Sequence, residues 1–199
     1  MALLGPSISE YDGNINFGKI KETNNFVMLR CGFGGNLKEQ DDNMYVVNAR
    51  KCERLKLPYG AFLYSYATSA ALAKNEAEHA LRLLRDTRPT YGLWYAVEDN
   101  SLPIERQKLS EICRTFLSAL ESEGEYVGIR SSLDWLLGRL DSPELKGYDK
   151  WVMQKNRVCE YPEPYTLWQF QDSGKISGVP GTFSMNRGYL DYHRIIAKA

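Results

Sequence analysis

The sequence predicts an α/β fold, an irregular single TIM-like (β/α) barrel whose late strands lack helices. Three observations carry this. Between residues 26 and 154, short apolar and aromatic runs alternate with helical patterns. Past residue 160, strand-like runs follow one another across Gly-rich turns with no helix between them. The third is the stretch Tyr91-Gly92-Leu93-Trp94-Tyr95-Ala96-Val97, which reads as a buried strand and ends in Glu98 and Asp99. Turn chemistry follows in Asn100-Ser101-Leu102-Pro103. In a barrel of parallel strands, that end is where active-site side chains gather. Strand alternation puts Ala96 and Glu98 on one face, Val97 and Asp99 on the other.

The elements follow in order. Residues 7–17 read as a short strand breaking into a turn at Asp12-Gly13, with a short helix to Lys21. Phe26–Leu29 is a compact buried strand, and the glycines of Arg30–Asn36 mark a loop. A helix is expected from Asp42 to Leu55, closed by Leu57-Pro58-Tyr59-Gly60, and a strand over Ala61–Tyr66. Ala73, Ala77, Ala80, Leu81 and Leu84 recur at helical spacing. Leu109, Ile112, Cys113, Phe116, Leu117 and Leu120 form one face of a second strong helix, with Pro103 near its start. Strands at Tyr126–Ile129 and Trp151–Gln154 flank a helix at Leu133–Leu140. Thr166–Phe170 and Thr182–Asn186 are the late strands. No repeat or linker divides residues 1–199, which read as one domain.

Composition excludes several classes. Lys plus Arg and Asp plus Glu are both 25, so the formal net charge is +0 and nothing marks a nucleic-acid partner. No apolar run approaches the roughly 20 residues of a membrane span. The opening Met-Ala-Leu-Leu-Gly-Pro is too short for a signal-peptide core, so no signal peptide is expected in this chain. The four cysteines, Cys31, Cys52, Cys113 and Cys159, stand singly and read as free thiols, mostly buried, rather than as a zinc site. Only two histidines occur, His79 and His193, which argues against a His-based triad. The glycine-rich loop lacks a following GKS/T, so phosphate binding there is weakly supported. No cofactor or metal is expected.

The residues in order resemble glycoside hydrolase family 25, the muramidases (lysozymes) that cut bacterial cell-wall glycan and are common as endolysins in bacteriophage. Ser7-Ile8-Ser9-Glu10-Tyr11-Asp12-Gly13-Asn14-Ile15-Asn16-Phe17 is similar to the family's opening pattern, and Phe26–Gly34 to its "FVIIRAGYG" strand. Asp42, Tyr45 and Asn48, then Gly60–Ala67, continue the match. Trp168-Gln169-Phe170, Gly174 and Val179-Pro180-Gly181 match its late pattern. The resemblance implies a barrel with a glycan groove at its strand ends, and four acids converging there. This chain keeps only one of the four, Glu98; Ser7, Ala96 and Ser184 stand at the other three positions, and Arg130 stands where the family usually has an aromatic.

Glycosidases of this kind need one group to protonate the leaving oxygen and another to stabilise the developing cation. Glu98, ending a buried strand among aromatics, suits the acid. General acid catalysis alone supplies on the order of 10²–10⁴-fold. Glu10, Asp12 and Asp99 are the acids near enough in sequence to stand in. The groove residues the resemblance implies are Arg30, Tyr64, Tyr66, Trp94, Arg130, Gln154, Trp168, Gln169 and Asn186, the aromatics among them reading equally as barrel core. Two functions follow. One is a catalytically impaired relative that binds peptidoglycan or another N-acetylated glycan, or serves as a structural part of a phage particle or secreted assembly. The other is a working N-acetylmuramidase with Glu98 as general acid/base. The expected location is phage-associated, or extracellular at the bacterial wall.

Overall fold

The computed structural model describes residues 2–99 and 105–196. Eight strands close into a barrel in chain order: β1 Leu3–Ile8, β2 Val27–Phe33, β3 Tyr59–Tyr64, β4 Leu93–Ala96, β5 Val127–Ser132, β6 Asp149–Met153, β7 Leu167–Ile176 and β8 Val179–Gly188. Neighbours from β1 to β7 run parallel, whereas β8 is antiparallel to both β7 and β1. Helices α1 Phe17–Thr23, α2 Tyr45–Leu55, α3 Ala70–Leu84, α4 Arg106–Glu121 and α5 Leu133–Leu137 occupy the first five crossovers; α6 Tyr192–Ile196 ends the described chain. β6 to β7 and β7 to β8 carry no helix, as the late strand pattern predicts. Among the described residues no helix is long and apolar enough to cross a membrane.

Several boundaries differ from the sequence reading. β1 starts at Leu3, and Glu10–Asp12 forms a single 3₁₀ turn rather than strand, because Ser9 and Asp12 build a reciprocal cap across it. β2 continues through Arg30–Phe33, where a loop was expected. There Gly32 serves close approach: a Cβ would lie 2.8 Å from the His79 ring, which packs against the strand. β3 includes Tyr59-Gly60 and stops at Tyr64; β4 is only four residues long and α2 starts at Tyr45. Asn100–Pro103, including the expected turn and Pro103, lies outside the described residues.

Alternation along the strands produces two apolar layers. Met28, Phe62, Trp94, Ala96, Trp151 and Leu167 point into the barrel. Gly128 leaves room for Trp94 there, since a Cβ would meet the indole at 2.5 Å. Leu29, Leu63, Tyr95, Ile129 and Val152 face outward against the helices. The α4 face named from periodicity is wholly buried, and Phe116 stacks on Tyr95 at 3.8 Å. Cys31, Cys52 and Cys113 are buried free thiols; Cys159 is partly exposed. Burial pushes the thiol of Cys113 up to about 12.

Candidate functional site

The carboxyl ends of the parallel strands open into a cleft of about 290 Å³. Its floor starts where β1 meets β8. Ser7 lies directly opposite Ser184 in that antiparallel pair. Asn186, one alternation further, donates to Ser7 Oγ at 3.0 Å and to the Gly5 carbonyl at 3.1 Å, and accepts from Trp151 Nε1 at 3.0 Å. Asn186, expected in the groove, is fully buried and braces the floor beneath it.

Across the barrel, Ala96 is in register with Tyr64 of β3 and Arg130 of β5. Tyr64 and Arg130 line the same cleft as Ser7, Ser184 and Arg30. Glu98 stands two residues beyond Ala96, just past the end of β4. Its Oε1 accepts from Arg130 Nη1 at 2.6 Å, and the Tyr64 phenol stands close enough to feel its charge. Burial, then the nearby Glu98 charge, holds the Tyr64 phenol well above its ordinary range.

Arg130 is the centre of this geometry. Its guanidinium packs against the Phe62 ring at 5.1 Å and Trp151 at 4.9 Å, and its Nη2 donates to Gln169 Oε1 at 3.1 Å. Its Nε is buried and finds no hydrogen-bond partner among the described residues. The same side chain borders a second cavity of about 300 Å³ formed with Gln154, Gln169 and Asp172, so it stands as a partition between two halves of the groove.

The other expected groove residues divide. Arg30 reaches the cleft but is engaged by Glu10 and Asp42, each at 3.0 Å, and lies 4.6 Å over the Tyr11 ring. Tyr66 is 47 % exposed, with its ring edge-on to Phe33, and so offers a face to a ligand. Gln154 is held by Glu160 and caps the loop after β6. Trp94 and Trp168 leave the groove set. Trp94 is sealed inside the barrel, donating to the Tyr91 carbonyl. Trp168 points to the outer layer, because β7 alternation gives the inner face to Gln169.

Sequence reasoning missed three contributors. Asp172 lines both cavities, but two register shifts between Gln169 and Gly174 break the alternation that would have placed it. Tyr11, 79 % exposed, had no pattern to mark it beyond its neighbours in the opening motif. Glu76 of α3 is buried and accepts from Ser65 Oγ, the Tyr66 backbone N–H and Tyr95 Oη, fixing the chain where Tyr66 leaves β3. Burial raises its carboxyl above the usual range, against three hydrogen bonds that lower it. Nothing in its sequence surroundings marks it, since it lies within an Ala-rich helical stretch. Of the stand-in acids, Asp12 lines the cleft while accepting from Ser9; Glu10 is turned to Arg30 and Asn43.

Among curated proteins no relative matches this chain. Among solved structures, the modular autolysin LytC of Streptococcus pneumoniae shares 25% identity, with a TM-score of 0.86. That match covers 94% of this chain and 47% of LytC, so the chain spans about half the length of that relative. LytC has also been solved with a synthetic peptidoglycan ligand. The catalytic domain of endolysin ply40, from bacteriophage P40 of Listeria monocytogenes, shares the fold at 22% identity and TM-score 0.83, covering 100% of this chain and 98% of that one. A family 25 glycosyl hydrolase of Bacillus anthracis does so at 18% identity and TM-score 0.78, covering 98% and 92%. The family model for glycosyl hydrolases family 25 matches residues 7–179, a range that runs from the β1 floor serine to the β7–β8 hairpin. The barrel, its cleft and that match agree, and the chain belongs to glycosyl hydrolases family 25.

Proposed function

We propose that residues 1–199 act as one barrel that binds the N-acetylated glycan of bacterial cell walls and is impaired as a hydrolase. The observation that carries this is the Glu98–Arg130 ion pair above a floor of Ser7, Ala96 and Ser184. Glycoside cleavage asks for a proton donor and for a negative group facing the sugar cation. Here Glu98 accepts from Arg130, and that guanidinium occupies the place where negative charge would help. Two hydroxyls and a methyl supply no anion. Ligand-binding features persist beside this: the exposed faces of Tyr66 and Tyr11, the Tyr64 rim and the Ser184 and Thr182 hydroxyls. A barrel of this kind works outside the cell at the wall, as part of a phage particle or of a secreted assembly.

A second reading, an active muramidase, rests on Asp12 and Asp172, whose carboxylates share the cleft. Against it, Asp172 is paired with Lys155 and Asp12 is committed to Ser9.

Calorimetric titration with soluble muropeptides and chito-oligosaccharides tests the binding function. Saturable binding is expected, weakened roughly three- to tenfold in Tyr66→Ala by loss of ring stacking. Absence of heat at millimolar sugar would overturn it.

A further inference from the structure

Lys150 is unlike any other lysine described here. It is the second residue of β6 and lies on the outer face of the barrel, since its neighbour Trp151 points inward. It is 5% exposed, yet it makes no ion pair among the described residues. Its Nζ donates to the carbonyls of Leu145 and Tyr148, the first at 2.7 Å. An ammonium carries three N–H groups, so one remains. The adjacent acid does not answer it: Asp149 accepts from the Tyr126 and Tyr192 hydroxyls on the opposite face of the strand. Buried charges are ordinarily paired, because an isolated one costs several kcal/mol.

Lys150 borders a cavity of about 80 Å³, well above the roughly 10–15 Å³ that one water needs. Ser142, Lys146 and Tyr161 share its wall. Ser142 is buried and starts the 3₁₀ turn Pro143–Leu145 without using its hydroxyl as a cap. Asp141 and Glu163 also border the cavity, but both are exposed, and the Asp141 carboxylate lies 3.9 Å from Arg106 at the surface. Desolvation lowers the Lys150 ammonium to about 8, which leaves it largely charged near neutrality.

We propose that this cavity is a binding site for a small oxyanion, a carboxylate or phosphate group that supplies the missing counter-charge to Lys150. It lies toward the amino ends of the barrel strands, away from the cleft, and is independent of the glycan reading. Thermal unfolding in sodium acetate and in inorganic phosphate, at constant ionic strength, tests it. The wild-type protein is expected to show a saturable Tm rise of about 2–4 °C with at least one of the two anions. Whichever anion acts identifies the headgroup. Lys150→Met keeps the apolar stem and should abolish the response. Ser142→Val leaves the ammonium in place but fills the cavity, and should abolish it as well, which covers a Lys150 variant that fails to fold. No response in the wild type, or equal responses in wild type and Ser142→Val, would overturn the proposal.

Discussion

At the scale of single residues, the cleft is governed by one pair. The Glu98 and Arg130 side chains are 13% and 10% exposed, so their attraction is weakly screened and each depends on the other. Arg130→Met should destabilise the fold by about 3 kcal/mol, because it strands a mostly buried carboxylate. The double variant Arg130→Met with Glu98→Gln should recover most of that loss. Urea unfolding of the four proteins of this cycle reads the coupling directly; additive losses would mean that the pair is incidental. Glu98 was legible in the sequence because a strand ended in acids. Its partner's role was not, since alternation places Arg130 on the inner face without saying which carboxylate it meets from the neighbouring strand.

At the scale of elements, short strands and their loops set the rim. The turn after β2 is held by Asp41, which accepts from His79, Arg82 and Lys38, while His79 also contacts the Gly34 carbonyl. Burial alone would raise the Asp41 carboxyl, but hydrogen bonds from Arg82, Lys38 and His79 outweigh it and hold it well below the usual range. A depressed folded-state value means that this stability is present above the ordinary carboxylate value near 3.8 and is lost as pH falls below it. Asp41→Asn should therefore cost about 1–3 kcal/mol at pH 7. Its disadvantage should shrink when melting is repeated below pH 3; a constant difference would contradict the linkage. On the helical side, Phe116→Ala should cost about 3–5 kcal/mol, because it removes a fully buried ring stacked on Tyr95. Chemical denaturation gives that value, and a loss under 1 kcal/mol would show that α4 repacks. The α4 face was readable because six apolar residues recur there at helical spacing. The His79–Asp41 link was not, since it spans 38 positions that no local pattern connects.

At the scale of the whole molecule, a closed barrel with seven parallel strands and one antiparallel return brings Ser7 and Ser184 together from opposite ends of the chain. Strand–helix alternation and the helix-free final third were enough to foresee an irregular barrel, but not the antiparallel return of β8. The floor was foreseeable only through the ordered motifs, because nothing local relates residues 7 and 184. The aromatic residues were harder still. Trp94 and Trp168 have the composition of sugar platforms, and the pleat sends one into the barrel interior and the other to its outer layer.

In the function proposed above, a cleft of this form holds wall glycan without cutting it efficiently. Release of soluble fragments from purified peptidoglycan, measured for the wild-type protein and for Glu98→Gln, tests this. Both are expected to stay near the no-enzyme rate and to differ little from each other. Rapid release by the wild-type protein that disappears in Glu98→Gln would contradict it.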